Sequence, residues 1–165
     1  MNTAENDLIA IARTLGTRLK TAGLTLATAE SCTGGWVAKV MTDIEGSSRW
    51  FDRGFVTYTN ESKREMLAVS AETLSTHGAV SEATVREMAL GALQHSHADL
   101  SLAISGVAGP GGGSADKPVG TVCFAWASRN DWLVSQRQIF SGDRSAVRMQ
   151  AVLAALTGVL QKISG

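Results

Sequence analysis

Thr28-Ala29-Glu30-Ser31-Cys32-Thr33-Gly34-Gly35 is the stretch of sequence that decides the fold. Residues 24–27 before it alternate in polarity and predict a short strand. Residues 36–41 after it predict the start of a helix. A tight turn that joins a strand to a helix is the unit from which α/β sheets are assembled. The chain is therefore expected to build its sheet around this turn.

The same turn carries groups that could do chemistry. The hydroxyl of Ser31 lies at the point where a helix N-terminus offers N–H groups to a phosphate or a developing oxyanion. Gly34 and Gly35 let a ligand approach the backbone closely. A plain capping turn, with Ser31 or Thr33 as the N-cap, is the competing interpretation. The other polar clusters of the chain decide between the two.

Composition limits the class of protein. The chain has 165 residues, a length that suits one domain spanning 1–165 with a sizeable core. Its content of 44% hydrophobic and 18% charged residues is that of a globular protein rather than a disordered one. Fifteen basic residues balance fifteen acidic ones without any Lys/Arg run, which argues against a nucleic-acid partner. No apolar run approaches the roughly 20 residues of a membrane span, so no membrane partner is expected.

The N-terminal residues and the cysteines indicate the compartment. Residues 1–7 are polar and acidic, unlike a signal peptide. Cys32 and Cys123 lie far apart, and neither they nor the three histidines show a metal-binding spacing. We therefore expect a cytoplasmic protein without a metal or another cofactor.

Strands and helices are predicted to alternate along the chain. Besides the central turn, apolar periodicity and capping residues predict five further helices and four further strands. The helices are expected over about 4–22, after Asn60, after Ser70, over 82–95 and from 141–143 to about 163, and the strands over 53–58, 100–105, 121–127 and 133–140. A short connection at 129–131 makes the last two strands a hairpin. This order predicts an α/β protein with a mixed, mostly parallel sheet.

Polar clusters follow three of the predicted strands. They cover residues 31–35, 58–63 and 105–113, and the last of them is dense in glycine. Ligand sites of open α/β sheets collect at the carboxyl ends of the strands. We therefore expect the three clusters to share one crevice.

A nucleophilic serine in that crevice needs a base. The histidines are poor candidates because they lie at a helix end or before a turn. Lys63 is the best candidate and Lys39 the second, provided that burial or a nearby cation lowers the pKa of the amine. Tyr58 could hydrogen-bond both Ser31 and the lysine and relay the proton. Cys32 is a rival nucleophile, although no base is apparent for it.

One short motif match is attributed to chance. Ser114-Ala115-Asp116-Lys117 has the S-x-x-K spacing of serine acylases. It lies in a glycine-rich loop rather than on a helix, so its two side chains would not share a face.

Five blocks in order resemble the CinA C-terminal domain family. The blocks are residues 28–35, 54–58, 78–81, 105–113 and 117–122, and the likeness extends over nearly the whole chain. The resemblance implies a single-domain, three-layer α/β/α sandwich and an oligomer, usually a dimer. It also implies hydrolysis of the carboxamide of nicotinamide mononucleotide to nicotinate mononucleotide and ammonia, a step in NAD recycling. The large N-terminal domain of full-length CinA proteins is absent here, so a pyrophosphatase activity is not expected.

The resemblance also implies roles for individual residues. Ser31 would be the nucleophile, with Lys63 and Tyr58 handling its proton. Backbone N–H groups near Cys32 and Thr33 would stabilise the oxyanion. Residues expected to bind the substrate are Cys32, Thr33, Gly34, Gly35, Ser105, Gly106, Gly109, Gly112 and Arg144.

Two other functions remain open from the sequence. A nucleotide-binding module without catalysis would keep the glycine-rich loops but would not need Lys63. An interaction partner in DNA uptake or recombination is suggested only by the competence association of the family, and the balanced charge argues against direct DNA contact.

Overall fold

A computed structural model describes residues 2–164 of the chain. Five strands form one sheet in the order β2-β1-β3-β4-β5. The strands are β1 Leu26–Glu30, β2 Phe51–Val56, β3 Leu100–Gly106, β4 Thr121–Ser128 and β5 Leu133–Ile139. The helices are α1 Thr3–Ala22, α2 Trp36–Thr42, α3 Asn60–Leu67, α4 Ala71–His77, α5 Glu82–Gln94 and α6 Arg144–Ser164. A 3₁₀ turn covers Ser47–Arg49.

The sheet is mixed, as the sequence predicts. β1 runs parallel to both of its neighbours, β2 and β3. β4 runs antiparallel to β3 and to β5, so four of the five strands point the same way. The predicted hairpin is the β4–β5 pair. The central strand β1 thus delivers its carboxyl end, and the turn that follows it, to the middle of the sheet edge.

Helices cover both faces of the sheet and complete three layers. Successive side chains of β1 and β3 point to opposite faces. Leu26 and Leu102 enter an apolar cluster with residues of α1, α2 and α6. Ala29 and Ala103 enter a second cluster with residues of α3, α4 and α5. The predicted α/β/α sandwich is confirmed.

The first two strands have different bounds from those predicted. β1 begins at Leu26 and extends through Glu30, because it lies between two parallel neighbours that pair with it up to that residue. β2 ends at Val56 rather than residue 58. The Thr57 N–H still donates to the Glu30 carbonyl at 2.9 Å, after which the chain leaves the sheet to start α3.

Most of the predicted helix ends are confirmed. Ser70 and Ser81 cap α4 and α5 through their hydroxyls. The α3 cap is Thr59, one residue before the predicted Asn60, because the Thr59 hydroxyl accepts from the Ser62 N–H. Neither Ser31 nor Thr33 caps α2, whose N-cap is Gly35. None of the helices between residues 2 and 164 combines the length and the apolar character that crossing a membrane requires.

Candidate active site

A pocket of about 280 Å³ lies where the turns after β1, β2 and β3 meet. As expected from the three polar clusters, it brings together residues that are far apart in sequence. Nine of the predicted site residues line it: Ser31, Cys32, Tyr58, Lys63, Ser105, Gly106, Gly109, Gly112 and Arg144.

Ser31 and Lys63 form a direct pair at the base of this pocket. Lys63 Nζ lies 3.0 Å from Ser31 Oγ and donates to the Thr57 carbonyl at 2.9 Å. Lys63 is only 1% exposed and Ser31 7%. The first turn of α3 therefore presents a buried amine to the residue that directly follows β1.

The surroundings of Lys63 favour its neutral form. Burial lowers the pKa of the Lys63 amine, and the nearby Cys32 opposes this only in part. No carboxylate within residues 2–164 forms an ion pair with this amine. A neutral amine keeps one lone pair, which can accept the Ser31 hydroxyl proton while an N–H remains on the Thr57 carbonyl.

Cys32 lies beside Ser31 but is not activated. Burial raises the pKa of its thiol to about 11, although the charge of Arg148 acts in the opposite direction. The thiolate is the nucleophilic form of cysteine, and at neutral pH almost none of it is present here. The environment therefore favours Ser31 over Cys32 as the nucleophile.

The Tyr58 hydroxyl does not make the contacts that the sequence suggested. It accepts from Arg144 Nη2 at 3.0 Å, and the Tyr58 side chain is 58% exposed at the pocket mouth. Arg144 Nη1 also donates to the Gly109 carbonyl at 2.8 Å. Arg144 thus connects the segment after β2 with the glycine-rich loop, and the hydroxyl of Tyr58 is engaged there rather than with Ser31 or Lys63.

The glycine-rich loop offers unpaired backbone donors. Within residues 2–164, the N–H groups of Gly109, Gly111, Gly112 and Gly113 donate to no protein acceptor. Gly109 and Gly112 have φ of 83° and 88°, which a residue with a side chain adopts only with strain. Successive free N–H groups in a loop form a concave site for an anion.

The helix start after Ser31 is not open to a phosphate, contrary to the prediction. The buried Glu30 carboxylate accepts from the Val37 N–H at 2.8 Å and from the Ala38 N–H at 3.0 Å. It also accepts from the Thr33 hydroxyl at 2.7 Å. The protein's own carboxylate therefore occupies the place predicted for a ligand anion.

Three predicted binding residues lie behind the pocket rather than on its wall. Thr33 is fully buried against Glu30. Gly34 and Gly35 have φ of 61° and 99° and reverse the chain into α2. These residues shape the turn instead of lining the pocket with Ser31 and Cys32.

The second candidate base and the S-x-x-K match both lie outside the site. The Lys39 side chain is 69% exposed and pairs with Asp43 at 2.7 Å, one turn further along α2. The Ser114 hydroxyl accepts from the Lys117 backbone N–H, while the Lys117 amine donates to the His77 carbonyl. The S-x-x-K spacing therefore does not form a serine–lysine pair.

Two residues that sequence analysis did not single out hold the turn. The Glu30 carboxylate accepts from the Thr33 hydroxyl and from two N–H groups of α2, as described above. Arg148 donates from Nε to the Cys32 carbonyl at 3.0 Å and from Nη2 to the Thr33 carbonyl at 3.2 Å. The available signals were the position of Glu30 directly before Ser31, and the spacing of Arg148 four residues after Arg144 on one helix face.

Comparison with known sequences assigns the family. The profile of the CinA C-terminal domain matches residues 8–163. The chain belongs to the CinA C-terminal domain family. This confirms the resemblance drawn from the five sequence blocks.

Relatives within the CinA family share nearly the full length of the chain. The nicotinamide-nucleotide amidohydrolase PncC of Escherichia coli strain K12 is 56% identical, with 96% of each chain covered. The protein of the same name from Enterobacter agglomerans is 52% identical over 96% of this chain and 97% of its own. The crystal structure of the competence/damage inducible protein CihA from Agrobacterium tumefaciens superposes with a TM-score of 0.93 at 46% identity, covering 96% of both chains.

Proposed function

We propose that this protein hydrolyses nicotinamide mononucleotide to nicotinate mononucleotide and ammonia. Relatives that are 56% and 52% identical over nearly their whole length are named for nicotinamide-nucleotide amidohydrolysis. The single observation that carries the proposal is the buried Lys63 amine, 3.0 Å from the Ser31 hydroxyl. A buried lysine without an acidic partner opposes folding, so a binding module would have little use for it.

In the first step, Ser31 attacks the carboxamide carbon of the substrate. The Oγ–C bond forms as the carbonyl π bond breaks, and the hydroxyl proton passes to the neutral Lys63 amine. The Thr57 carbonyl holds that amine in place through the 2.9 Å hydrogen bond. Because the hydroxyl of Tyr58 contacts Arg144, we assign the proton transfer to Lys63 alone.

The oxyanion that forms needs hydrogen-bond donors. Within residues 2–164, the N–H groups of Cys32 and Thr33 donate to no protein acceptor. Cys32 directly follows the nucleophile and lines the pocket, whereas Thr33 is fully buried behind it. We propose that the Cys32 N–H is a donor to the developing oxyanion.

The remaining steps release the two products. The tetrahedral intermediate collapses, the C–N bond breaks, and Lys63 returns the proton to the departing nitrogen, which leaves as ammonia. In the second half, Lys63 takes a proton from water, whose oxygen bonds to the ester carbon. The bond between that carbon and Ser31 Oγ then breaks, and the serine regains its proton.

We propose that the glycine-rich loop and Arg144 bind the substrate phosphate. The unpaired N–H groups of Gly109, Gly111 and Gly112 lie on the wall of the pocket and suit an anion. The Arg144 guanidinium lies beside them and can offer charge-assisted hydrogen bonds to phosphate oxygens. Ser105 and Gly106 line the same pocket together with Ser31.

The test is ammonia release by the purified protein from nicotinamide mononucleotide without added metal. We expect stoichiometric ammonia and nicotinate mononucleotide, identified by chromatography, and the same rate after exhaustive EDTA treatment. Ser31→Ala is the matched control for contaminating activity. Tight calorimetric binding of the mononucleotide without ammonia release would instead establish a nucleotide-binding module.

The cellular setting and the assembly follow from the same proposal. We propose a cytoplasmic enzyme of NAD recycling that works without a cofactor and forms a dimer. Cys32 and Cys123 are both free and buried, which suits a reducing compartment. The dimer rests on the family resemblance, and sedimentation equilibrium at micromolar concentration tests it.

A further inference from the structure

We infer that Val80, together with Ala79, forms the wall of the pocket that binds the pyridine ring of the substrate. The inference rests on the proposed function, because it concerns recognition of the same substrate. Both residues belong to the loop between α4 and α5, within the block 78–81 that resembles the family. Their side chains line the pocket that contains Ser31 and Lys63.

The pocket has few aliphatic side chains. Hydroxyl groups, an amine, a guanidinium and the backbone of several glycines form much of its wall. The aliphatic side chains that line it are those of Ala79, Val80, Val107 and Ala108. In nicotinamide mononucleotide the ribose, the phosphate and the carboxamide are polar, and only the faces of the pyridine ring suit an aliphatic surface. The ring should therefore lie against some of these four side chains.

The layers of the fold indicate which of them meet the ring. The carboxamide carbon is bonded directly to the ring, so the ring must lie on the side of the catalytic pair. Lys63 belongs to α3, and Ala79 and Val80 pack on the apolar cluster that α3, α4 and α5 share on one face of the sheet. Arg144, the proposed phosphate ligand, begins α6, whose cluster lies on the opposite face. The ring is thus expected against Ala79 and Val80, with the phosphate at the other end of the pocket.

Two neighbouring cavities agree with this division. One, of about 510 Å³, borders the pocket at Ala108 and Arg144, which line both spaces. Another, of about 310 Å³, borders the pocket at Val80 and shares no lining residue with the first. Ala108 therefore lies at the phosphate end. The aromatic ring of Tyr58 belongs to that end too, since its hydroxyl accepts from Arg144 at 3.0 Å.

Hydrogen bonds hold the loop that carries this wall. The Gly78 carbonyl accepts from the Ser81 hydroxyl at 3.0 Å and from the Thr84 hydroxyl at 2.7 Å. The Lys117 amine donates to the His77 carbonyl at 2.6 Å and ties the end of α4 to the segment after the glycine-rich loop. A preformed surface binds a flat ring with little loss of conformational entropy.

Calorimetric titration in a Ser31→Ala background tests the wall without turnover. Val80→Thr keeps the shape of the side chain and replaces one methyl group by a hydroxyl. We expect it to raise the Kd of nicotinamide mononucleotide by about 3-fold to 30-fold. Ala79→Ser should raise the same Kd by a smaller factor. Val134→Thr changes a half-buried valine of β5 outside this pocket, so it is the matched control and should leave the Kd unchanged.

Ribose 5-phosphate separates a lost ring contact from a distorted pocket. It carries the sugar and the phosphate without the ring, so its Kd should not change in Val80→Thr or Ala79→Ser. A distorted pocket would weaken the binding of both ligands together. Equal weakening of both ligands, or an unchanged Kd for nicotinamide mononucleotide in either variant, would overturn the inference.

Failure of this inference and failure of the proposed function give different results. If wild type releases no ammonia but Val80→Thr weakens only the ligand with the ring, the hydrolysis fails and the ring wall stands. If wild type is active and Val80→Thr weakens both ligands alike or neither, only the ring wall fails. Absence of any binding of nicotinamide mononucleotide would overturn both.

Discussion

The Lys63 amine lies 3.0 Å from the Ser31 hydroxyl, and both side chains are buried at the junction of α3 with the turn after β1. Protonating this amine in its buried position would create a charge that neither water nor a carboxylate stabilises. Burial lowers the pKa of the amine and so favours the neutral base beside the hydroxyl, at a cost in folding free energy. Its pH dependence should be visible both in catalysis and in stability.

The activity should rise with pH because the working base is the neutral amine. Burial lowers the pKa of Lys63. A plot of log(kcat/KM) against pH should therefore rise with a slope of one and level off at a pH below about 10.4, the ordinary pKa of lysine. Measurement above pH 7 keeps the substrate phosphate ionised. A profile that instead falls as pH rises across the alkaline range would contradict the neutral Lys63 amine as the base.

The free energy of unfolding should also increase with pH, for the same reason. In the unfolded chain Lys63 stays protonated up to about pH 10.4, whereas in the folded protein it loses its proton earlier because burial lowers its pKa. Between those two values the unfolded state binds more protons, so the wild type gains stability as pH rises. Lys63→Met has no such gain.

Urea denaturation of both proteins from pH 7 to pH 10 measures this difference. The stability of Lys63→Met relative to wild type should be greatest at the lower pH and should decline as pH rises. Lys39→Met, which changes an exposed lysine, is the matched control and should show no trend. A gap for Lys63→Met that stays constant over this range would mean that the amine titrates as an ordinary lysine.

Glu30 should contribute to stability through the turn. Its carboxylate accepts from the Thr33 hydroxyl and from the Val37 and Ala38 N–H groups. Glu30→Gln places an amide N–H₂ against one of those donors and should cost about 1–3 kcal/mol, or roughly 2–12 °C in Tm. The exposed Glu45→Gln is the control for charge alone. Calorimetric scans that give equal Tm values for the two variants would rule out this role.

Loss of the phosphate contact should weaken substrate binding without slowing the chemical step. Nicotinamide riboside lacks the anion that the glycine loop and Arg144 would bind, so its kcat/KM should be lower by about 10²-fold or more. Arg144→Met should raise KM for the mononucleotide by about 10-fold to 100-fold and leave kcat/KM for the riboside unchanged. Steady-state assays with both substrates test this. An equal loss on both substrates would exclude a phosphate contact by Arg144.

Local sequence patterns were sufficient to predict the main strands, helices and turns of the fold. The strand–turn–helix unit around Ser31, the serine caps of α4 and α5, and the β4–β5 hairpin all depend on residues close together in the chain. The meeting of the three polar clusters followed from the rule that strand ends of an α/β sheet share an edge. Lys63 could be ranked above Lys39 because Lys39 was predicted to lie about a turn inside its helix.

The contacts that set the turn were out of reach of such patterns. Arg148 meets Cys32 across 116 positions of sequence, and only the packing of α6 against the β1 turn brings them together. From the sequence, Glu30 was only the residue before the predicted ligand site. In the structure its buried carboxylate accepts from the N–H groups at the start of α2. The Tyr58 hydroxyl accepts a hydrogen bond from Arg144 at the exposed mouth of the pocket. The pattern of polar residues along the chain does not predict that position.

Ammonia release by Ser31→Ala, Lys63→Met and the double variant, with calorimetric binding of nicotinamide mononucleotide alongside, tests the central claim most directly. A nucleophile and its base act as one unit, so each single variant should lose nearly all turnover and the double variant should be little worse than either. Ser31→Ala should still bind the mononucleotide, because the phosphate donors remain. Near-normal ammonia release from Ser31→Ala, or losses that multiply in the double variant, would contradict the Ser31–Lys63 pair as the catalytic centre.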